Sequence, residues 1–275
     1  MVPFPDIDPV ALQIGPVAIR WYGLAYVVGI LSGWGLLKAR AARPGALFTP
    51  DDVGDMVFYA ALGGVLGGRL GYVLFYNLDQ YLHEPASIFA VWQGGMAFHG
   101  GVLGFIVATA WFARRRGVSL LAVTDFIVPV VPIGLFFGRI ANFINGELWG
   151  RVSDVPWAMV FPGGGPEPRH PSQLYEAGLE GVVLFVLLNT LGGRGLGGGL
   201  GGGLGSGLVS GVFLLGYGLF RFLIEFAREP DAHLGFVLFD WCSMGQVLSM
   251  PMVLLGAFLV SRALARQNAG AARAA

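Results

Sequence analysis

Charge and cysteine are what this sequence of 275 residues has least of. Asp, Glu, Lys and Arg together make up 12% of it, about half the ~25% usual in soluble globular proteins. A water-soluble domain of 29.2 kDa could not cover its surface with so few charges. The formal net charge is zero, which gives no electrostatic footprint for nucleic acid. A single cysteine, Cys242, excludes a disulfide framework and any cysteine-based zinc site. No His, Asp and Glu set has the spacing of metal ligands, so neither a metal nor a cofactor is expected. What is present in quantity is apolar: 55% hydrophobic and 13% aromatic residues, a composition that excludes disorder. Glycine is the other surplus, with 45 residues against a usual share of ~7%. The chain reads as an all-α, polytopic membrane protein.

Apolar runs of ~20 residues are long enough to cross a hydrocarbon core as helix. Seven are expected: 17–37, 53–75, 96–113, 120–144, 172–191, 207–226 and 237–259. The first 16 residues carry no lysine or arginine. They therefore lack the basic region of a cleaved signal peptide, and are expected to stay on the protein. Ten basic residues, among them Lys38, Arg114 and Arg262, fall after odd-numbered spans, and three, Arg151, Arg169 and Arg228, fall on the other side. The excess places the N-terminus outside and the C-terminus in the cytoplasm. The whole chain is expected to form one integral membrane domain. Residues 145–171, between spans four and five, should build a small extracytoplasmic head. Residues 192–207, with eleven glycines, read as a flexible cytoplasmic linker. No preceding strand or Lys-Ser/Thr supports a phosphate loop there.

Arg20, Arg69, Arg139 and Arg221 fall inside the apolar runs. An arginine at mid-bilayer costs roughly 2.5–3.5 kcal/mol on insertion scales, so each needs an interface, a partner or an anionic ligand. Arg20 is close enough to a helix end to snorkel. Arg69 lies beside a glycine stripe, Gly63, Gly67 and Gly71, that suits helix packing; it either touches the site or anchors the stripe. In GRIANFINGELWG, Arg139 and Asn142 share a helix face, and Asn145, Glu147 and Gly150 follow as the helix ends. This cluster is either an interhelical polar clamp or a site. Tyr217, Arg221, Glu225 and Arg228 are spaced 4, 4 and 3. They read as a self-neutralising ladder or, with two arginines against one glutamate, as a net positive face for a phosphate. His99 opens span three between glycines, and His170 precedes span five. Either histidine can be structural, but the glycine-lined mouth favours a functional His99. Glu176 could complement the arginines, and Ser172 reads as the first-turn cap of span five.

These stretches resemble the bacterial prolipoprotein diacylglyceryl transferases. The resemblance is carried by Arg20-Trp21-Tyr22-Gly23, Gly68-Arg69-Leu70-Gly71-Tyr72, His99-Gly100-Gly101, the signature from Gly138 to Arg151, HPSQLYE from His170 to Glu176, and the run from Tyr217 through Asp231. It implies a seven-helix transferase of the bacterial cytoplasmic membrane, with its active site toward the extracytoplasmic side. The reaction implied moves the diacylglyceryl group of phosphatidylglycerol onto the lipobox cysteine of a prolipoprotein signal peptide. By motif, the family's essential histidine falls on His99 and its signature arginine and asparagine on Arg139 and Asn142. Its glutamate and glycine fall on Glu147 and Gly150, its span-one tyrosine on Tyr22, and its span-six pair on Tyr217 and Arg221. Ala97 departs from the serine of many members.

The chemistry suits these residues. A thiol with a pKa near ~8.5 needs a base or a positive field, and a phosphate-ester leaving group needs fixed cations in a dry site. His99, Arg139, Arg221 and Tyr22 are the expected catalytic residues. Arg139, Asn142, Glu147, Gly150, Tyr217 and Arg221 are expected to bind the lipid, with Arg69, His170, Glu176, Glu225 and Arg228 in support. The alternatives are another integral-membrane phospholipid transferase, for which Asp125 and Asp240 are too isolated to hold a metal, and a secondary transporter. A transporter would show an inverted repeat that these unlike spans lack.

Overall fold

A computed structural model of the chain describes residues 2–5, 7–90, 94–195, 206–230, 235–238 and 241–274. Most of the glycine-rich stretch (196–205), together with Asp231 and Asp240, lies outside the described residues. Five helices are long and apolar enough to cross a membrane: Trp21–Ala41, Pro50–Tyr76, Leu120–Ile144, Ser172–Leu191 and Met244–Ala269. The protein is therefore a mostly helical, multi-pass membrane protein. The third and sixth expected spans form shorter helices, of 18 and 17 residues.

The chain divides into two compact units, Leu37–Thr124 and a second made of Met1–Leu36 with Asp125–Ala275. In the Leu37–Thr124 unit, α2 (Pro50–Tyr76) begins with a reciprocal cap. Thr49 Oγ1 accepts from Asp52 N at 3.2 Å, and Asp52 Oδ2 accepts from Thr49 N at 2.8 Å. After the short α3 (Leu78–His83) the chain returns through α4 (Phe98–Arg115), which packs on α2 along a seam of glycines. A Cβ at Gly67 would strike the Gly100 carbonyl and come within 2.7 Å of Gly104 Cα; one at Gly71 would come within 2.8 Å of Gly100 Cα. Backbones approach that closely only where small residues line both helices. At the far end of the seam Arg116 lies 2.5 Å from Asp52 and 3.0 Å from Asp55.

The second unit opens with a hairpin, β1 (Val10–Ile14) and β2 (Val17–Arg20), pairing Gln13 with Ala18 and Ile14 with Val17. Residues 17–20, expected at the start of a span, are thus strand, and α1 (Trp21–Ala41) starts after them. Helices α5 (Leu120–Ile127) and α6 (Val131–Ile144) are joined by a 3-10 turn at Val128–Val130, where Pro129 and Pro132 withhold backbone donors. The helix from Ser172 to Gly195 is α-helical at both ends, α7 (Ser172–Glu176) and α8 (Leu184–Gly195), and π-helical at Ala177–Val183. Next come α9 (Leu208–Ile224), a small pair β3 (Phe236–Leu238) and β4 (Cys242–Ser243), and α10 (Met244–Ala274). The expected seventh span thus begins as strand and becomes helix at Met244. The α9 N-terminus is capped by the buried Asp125, which accepts from Gly207 N (2.9 Å), Ser210 N (2.8 Å) and Ser210 Oγ (2.7 Å).

Candidate active site

Within the second unit, α6, the helix from Ser172 and the C-terminal end of α9 bring the expected polar residues together. Arg139, on α6, places Nε 2.8 Å from Glu176 Oε2, an off-line approach that makes an ion pair rather than a hydrogen bond. Arg221, on α9, donates through Nη1 to Glu176 Oε1 at 2.5 Å and holds Glu225 Oε1 at 2.6 Å. Arg228 donates to the same Glu225 oxygen at 3.3 Å. Glu176 and Glu225 are 1% and 3% exposed, so these charges are removed from water and stand only because they are paired. The array runs Arg139–Glu176–Arg221–Glu225–Arg228.

Two carboxylates of span five change the charge of the ladder: Glu176, which the sequence offered as a complement to the arginines, and Glu180, its i, i+4 neighbour. Glu176 bridges the two membrane arginines, and Glu180, one turn on and fully buried, lies 3.9 Å from Arg139 and 4.0 Å from Arg221. Three arginines therefore meet three glutamates, where the α9 run taken alone leaves a positive excess. A π turn carries Glu180 at this point; such turns recur at functional sites because they re-aim side chains within a helix.

The end of α6 forms a second polar group. Asn142 Nδ2 donates to Glu147 Oε1 at 2.8 Å and Asn145 Nδ2 donates to the same oxygen at 3.2 Å. Gly146, with φ +64°, supplies the left-handed turn that folds Glu147 back onto the helix end. Gln173 Nε2 donates to the Glu147 carbonyl at 2.7 Å. Ser172, expected as a cap, instead donates through Oγ to the Leu148 carbonyl at 3.0 Å, so it ties span five to the loop rather than to its own first turn.

Residues 145–171 connect α6 to α7 and are tied to the segment that follows α9. Gly150 N donates to the His170 carbonyl at 2.8 Å, and Arg151 N donates to the Ala227 carbonyl at 2.9 Å. A Cβ at Gly150 would meet the Ala227 carbonyl and lie 2.6 Å from His170 Cβ, so only glycine fits where three segments cross. Arg151 donates to the carbonyls of Arg228 (2.9 Å) and Glu225 (3.1 Å), and so fixes the backbone that carries the ladder. Trp157 Nε1 donates to Tyr175 Oη at 2.6 Å, and Tyr175 Oη lies 3.1 Å from His170 Nδ1. Burial holds the His170 imidazole below its ordinary pKa. In that neutral form Nδ1 accepts the tyrosine proton.

Tyr22, at the start of α1, is partly exposed and pairs with Tyr26, hydroxyl to hydroxyl at 3.2 Å. Tyr217 lies on α9 in the electrostatic field of Glu180, Arg221 and Arg139. His99 and Arg69 belong to the other unit. His99 is an exposed residue in the first turn of α4, its ring 5.6 Å from that of Phe98. Arg69 is buried, and its guanidinium donates to the carbonyls of Ile88 (2.8 Å), Gly94 (2.6 Å), Gly95 (3.0 Å), Ser87 (2.6 Å) and Ala90 (3.4 Å). With its donors taken by backbone, Arg69 anchors the segment leading to α4.

Sequence reasoning missed Ser243, Gly245 and Gln246. Ser243 Oγ donates to Glu225 Oε2 at 2.5 Å, and Gln246 Oε1 accepts from Ser243 N at 2.9 Å. A Cβ at Gly245 would lie 2.6 Å from Glu225 Oε1. A short polar run inside an otherwise apolar span was the available signal. Among the described residues no cluster of His, Cys, Asp and Glu could hold a metal ion.

Comparison with known proteins identifies the family. The family profile described as prolipoprotein diacylglyceryl transferase matches residues 9–262. A phosphatidylglycerol–prolipoprotein diacylglyceryl transferase of Methylococcus capsulatus is 53% identical over 270 residues, covering 98% of this chain and 100% of the relative. Relatives of the same name from Nitratidesulfovibrio vulgaris (strain DP4) and Pseudomonas aeruginosa (strain PAO1) are 55% identical over 260 residues and 54% over 269. They are covered over 96% and 98% of their lengths, with 94% and 98% of this chain aligned. The chain belongs to the prolipoprotein diacylglyceryl transferase family.

Proposed function

We propose that this protein transfers the diacylglyceryl group of phosphatidylglycerol to the lipobox cysteine of a prolipoprotein, the first step of lipoprotein maturation. The observation that carries the reading is the pair of largely buried arginines, Arg139 and Arg221, held on two helices and bridged by one carboxylate. Guanidinium groups so fixed in a dry site match a phosphodiester and stabilise the phosphate that leaves, because their dipoles are aligned before the reaction begins. In the transfer a C–S bond forms as the C–O bond to phosphate breaks. The thiol gives up its proton, and the glycerol phosphate departs with the bonding electron pair. His99 accepts the thiol proton, and Tyr22 and Asn142 serve as orienting groups. Glu147, Gly150 and Tyr217 line the lipid headgroup. His170, Glu176, Glu225 and Arg228 keep these groups in place, and Arg69 fixes the segment that leads to His99.

The reading includes seven crossings, α4 and α9 joining the five longer helices. The cytoplasmic membrane is the site of action, with the N-terminus and the reacting groups outside and the glycine-rich stretch inside. The whole chain acts as one membrane domain with residues 145–171 as its external head. Purified protein with phosphatidylglycerol and a lipobox peptide should yield a thioether-linked diacylglyceryl peptide. Absence of product, or equal product from a peptide with serine in place of the cysteine, overturns the assignment. Arg139→Ala and His99→Gln separate the roles: near-normal turnover of the histidine variant across pH removes the base role alone.

A further inference from the structure

The array of arginines and glutamates is already neutral before any lipid arrives. With all groups ionised, Arg139, Arg221 and Arg228 balance Glu176, Glu180 and Glu225. A phosphodiester entering between Arg139 and Arg221 adds a negative charge to a buried site, and a buried excess charge costs several kcal/mol unless it is neutralised. One carboxylate must give way, and the three are not equally committed. Glu176 is held at 2.5 and 2.8 Å by two guanidiniums. Glu225 is held by Arg221 (2.6 Å), Arg228 (3.3 Å) and the Ser243 hydroxyl (2.5 Å). Glu180 is fully buried, its nearest cations stand at 3.9 and 4.0 Å, and neither of its oxygens accepts a hydrogen bond among the described residues. The groups facing it are Arg139 from α6, Arg221 and Tyr217 from α9, Glu176 on its own helix and Glu225 beyond α9. Losing the charge on Glu180 forfeits the fewest interactions.

We propose that Glu180 takes up a proton when the anionic lipid binds and releases it when the anionic product leaves, so that it is a proton-linked positioning residue for the phosphate. The inference rests on the reading of Arg139 and Arg221 as the phosphate-binding pair. The proton comes from solvent and ends on a Glu180 carboxylate oxygen, no covalent bond of the lipid changes, and array plus phosphate return to net neutrality. Arg139 and Arg221 then turn from Glu180 to the phosphate.

The test is calorimetric titration of the full-length protein in detergent with short-chain phosphatidylglycerol and no peptide, in two buffers of different ionisation enthalpy. The wild type should take up as much as one proton per lipid bound. Its affinity should weaken with rising pH at a slope approaching about tenfold per pH unit, the limit for one linked proton. Glu180→Gln, a neutral isostere, should bind lipid within a few-fold of wild type at low pH, with no proton uptake and no pH slope. Binding by the wild type without proton uptake between pH 6 and pH 8 overturns the inference, and that measurement needs no variant to fold. Equal uptake by Glu180→Gln overturns it too, by assigning the proton elsewhere. If Arg139→Ala binds the lipid as well as wild type, the phosphate reading itself has failed, a result distinct from either.

Discussion

Glu176 holds both membrane arginines with one carboxylate, and its loss leaves two cations facing each other in a space from which water is excluded. Removing one member of a buried pair costs about 3–5 kcal/mol, because the partner's charge stays behind without compensation. Glu176→Ala should therefore lower unfolding stability in detergent by at least about 3 kcal/mol, read by thermal or chemical denaturation. Arg139→Lys keeps the charge but loses the planar fork, and transfer should fall about 100-fold, the usual cost of removing one donor from a developing anion. The phosphate then has one well-directed donor set where it had two. His170 supplies a pH dependence. Its imidazole is held below the ordinary range, so the unfolded chain binds the proton more readily than the folded one. Its contribution to stability is whole above the unfolded value of ~6.5 and is lost as pH falls from there through the lower folded value. A melting profile should show that loss in the wild type and a flatter acid limb in His170→Phe.

At the scale of elements, the glycine seam decides how closely α2 and α4 approach. Any side chain at Gly67 meets Gly100 and Gly104 backbone, which cannot rotate away. Overpacking of this kind costs about 1–3 kcal/mol even where side chains can yield. Gly67→Val should reach or exceed that range in thermal melts, while Gly64→Ala, with open space at its Cβ, should melt like the wild type. The period of glycines along span two announces this seam in the sequence. The sequence says less about the interruptions: the hairpin ahead of α1, the 3-10 turn inside 120–144 and the π turn inside 172–191 all fall within continuous apolar runs. Hydropathy reports whether a segment prefers lipid, and it is blind to one residue added to a helical turn.

For the molecule as a whole, the distribution of basic residues predicts the sidedness of the loops, and labelling can test it. In a chain with Cys242→Ser, a membrane-impermeant maleimide should modify Val152→Cys in intact cells, and Arg43→Cys only after permeabilisation; the reverse pattern would invert the topology. By itself the sequence determined the membrane class, through scarcity of charge. It also determined the family, through motifs spread over most of the chain, and the identity of the few polar residues inside apolar runs. Those are properties of composition and order, and no packing is needed to read them. The tertiary structure decided which charge meets which. Glu176 and Glu180 are far from Arg139 and Arg221 in sequence, so no local spacing showed which arginines they would meet, and nothing marked Ser243 as the hydroxyl that donates to Glu225. Arg69 and Arg139 look alike as arginines in apolar runs, yet one is spent on backbone carbonyls and the other faces two buried carboxylates. The reason is physical: hydrophobicity is carried residue by residue, whereas the energy of a buried charge depends on distances that exist only once helices have packed.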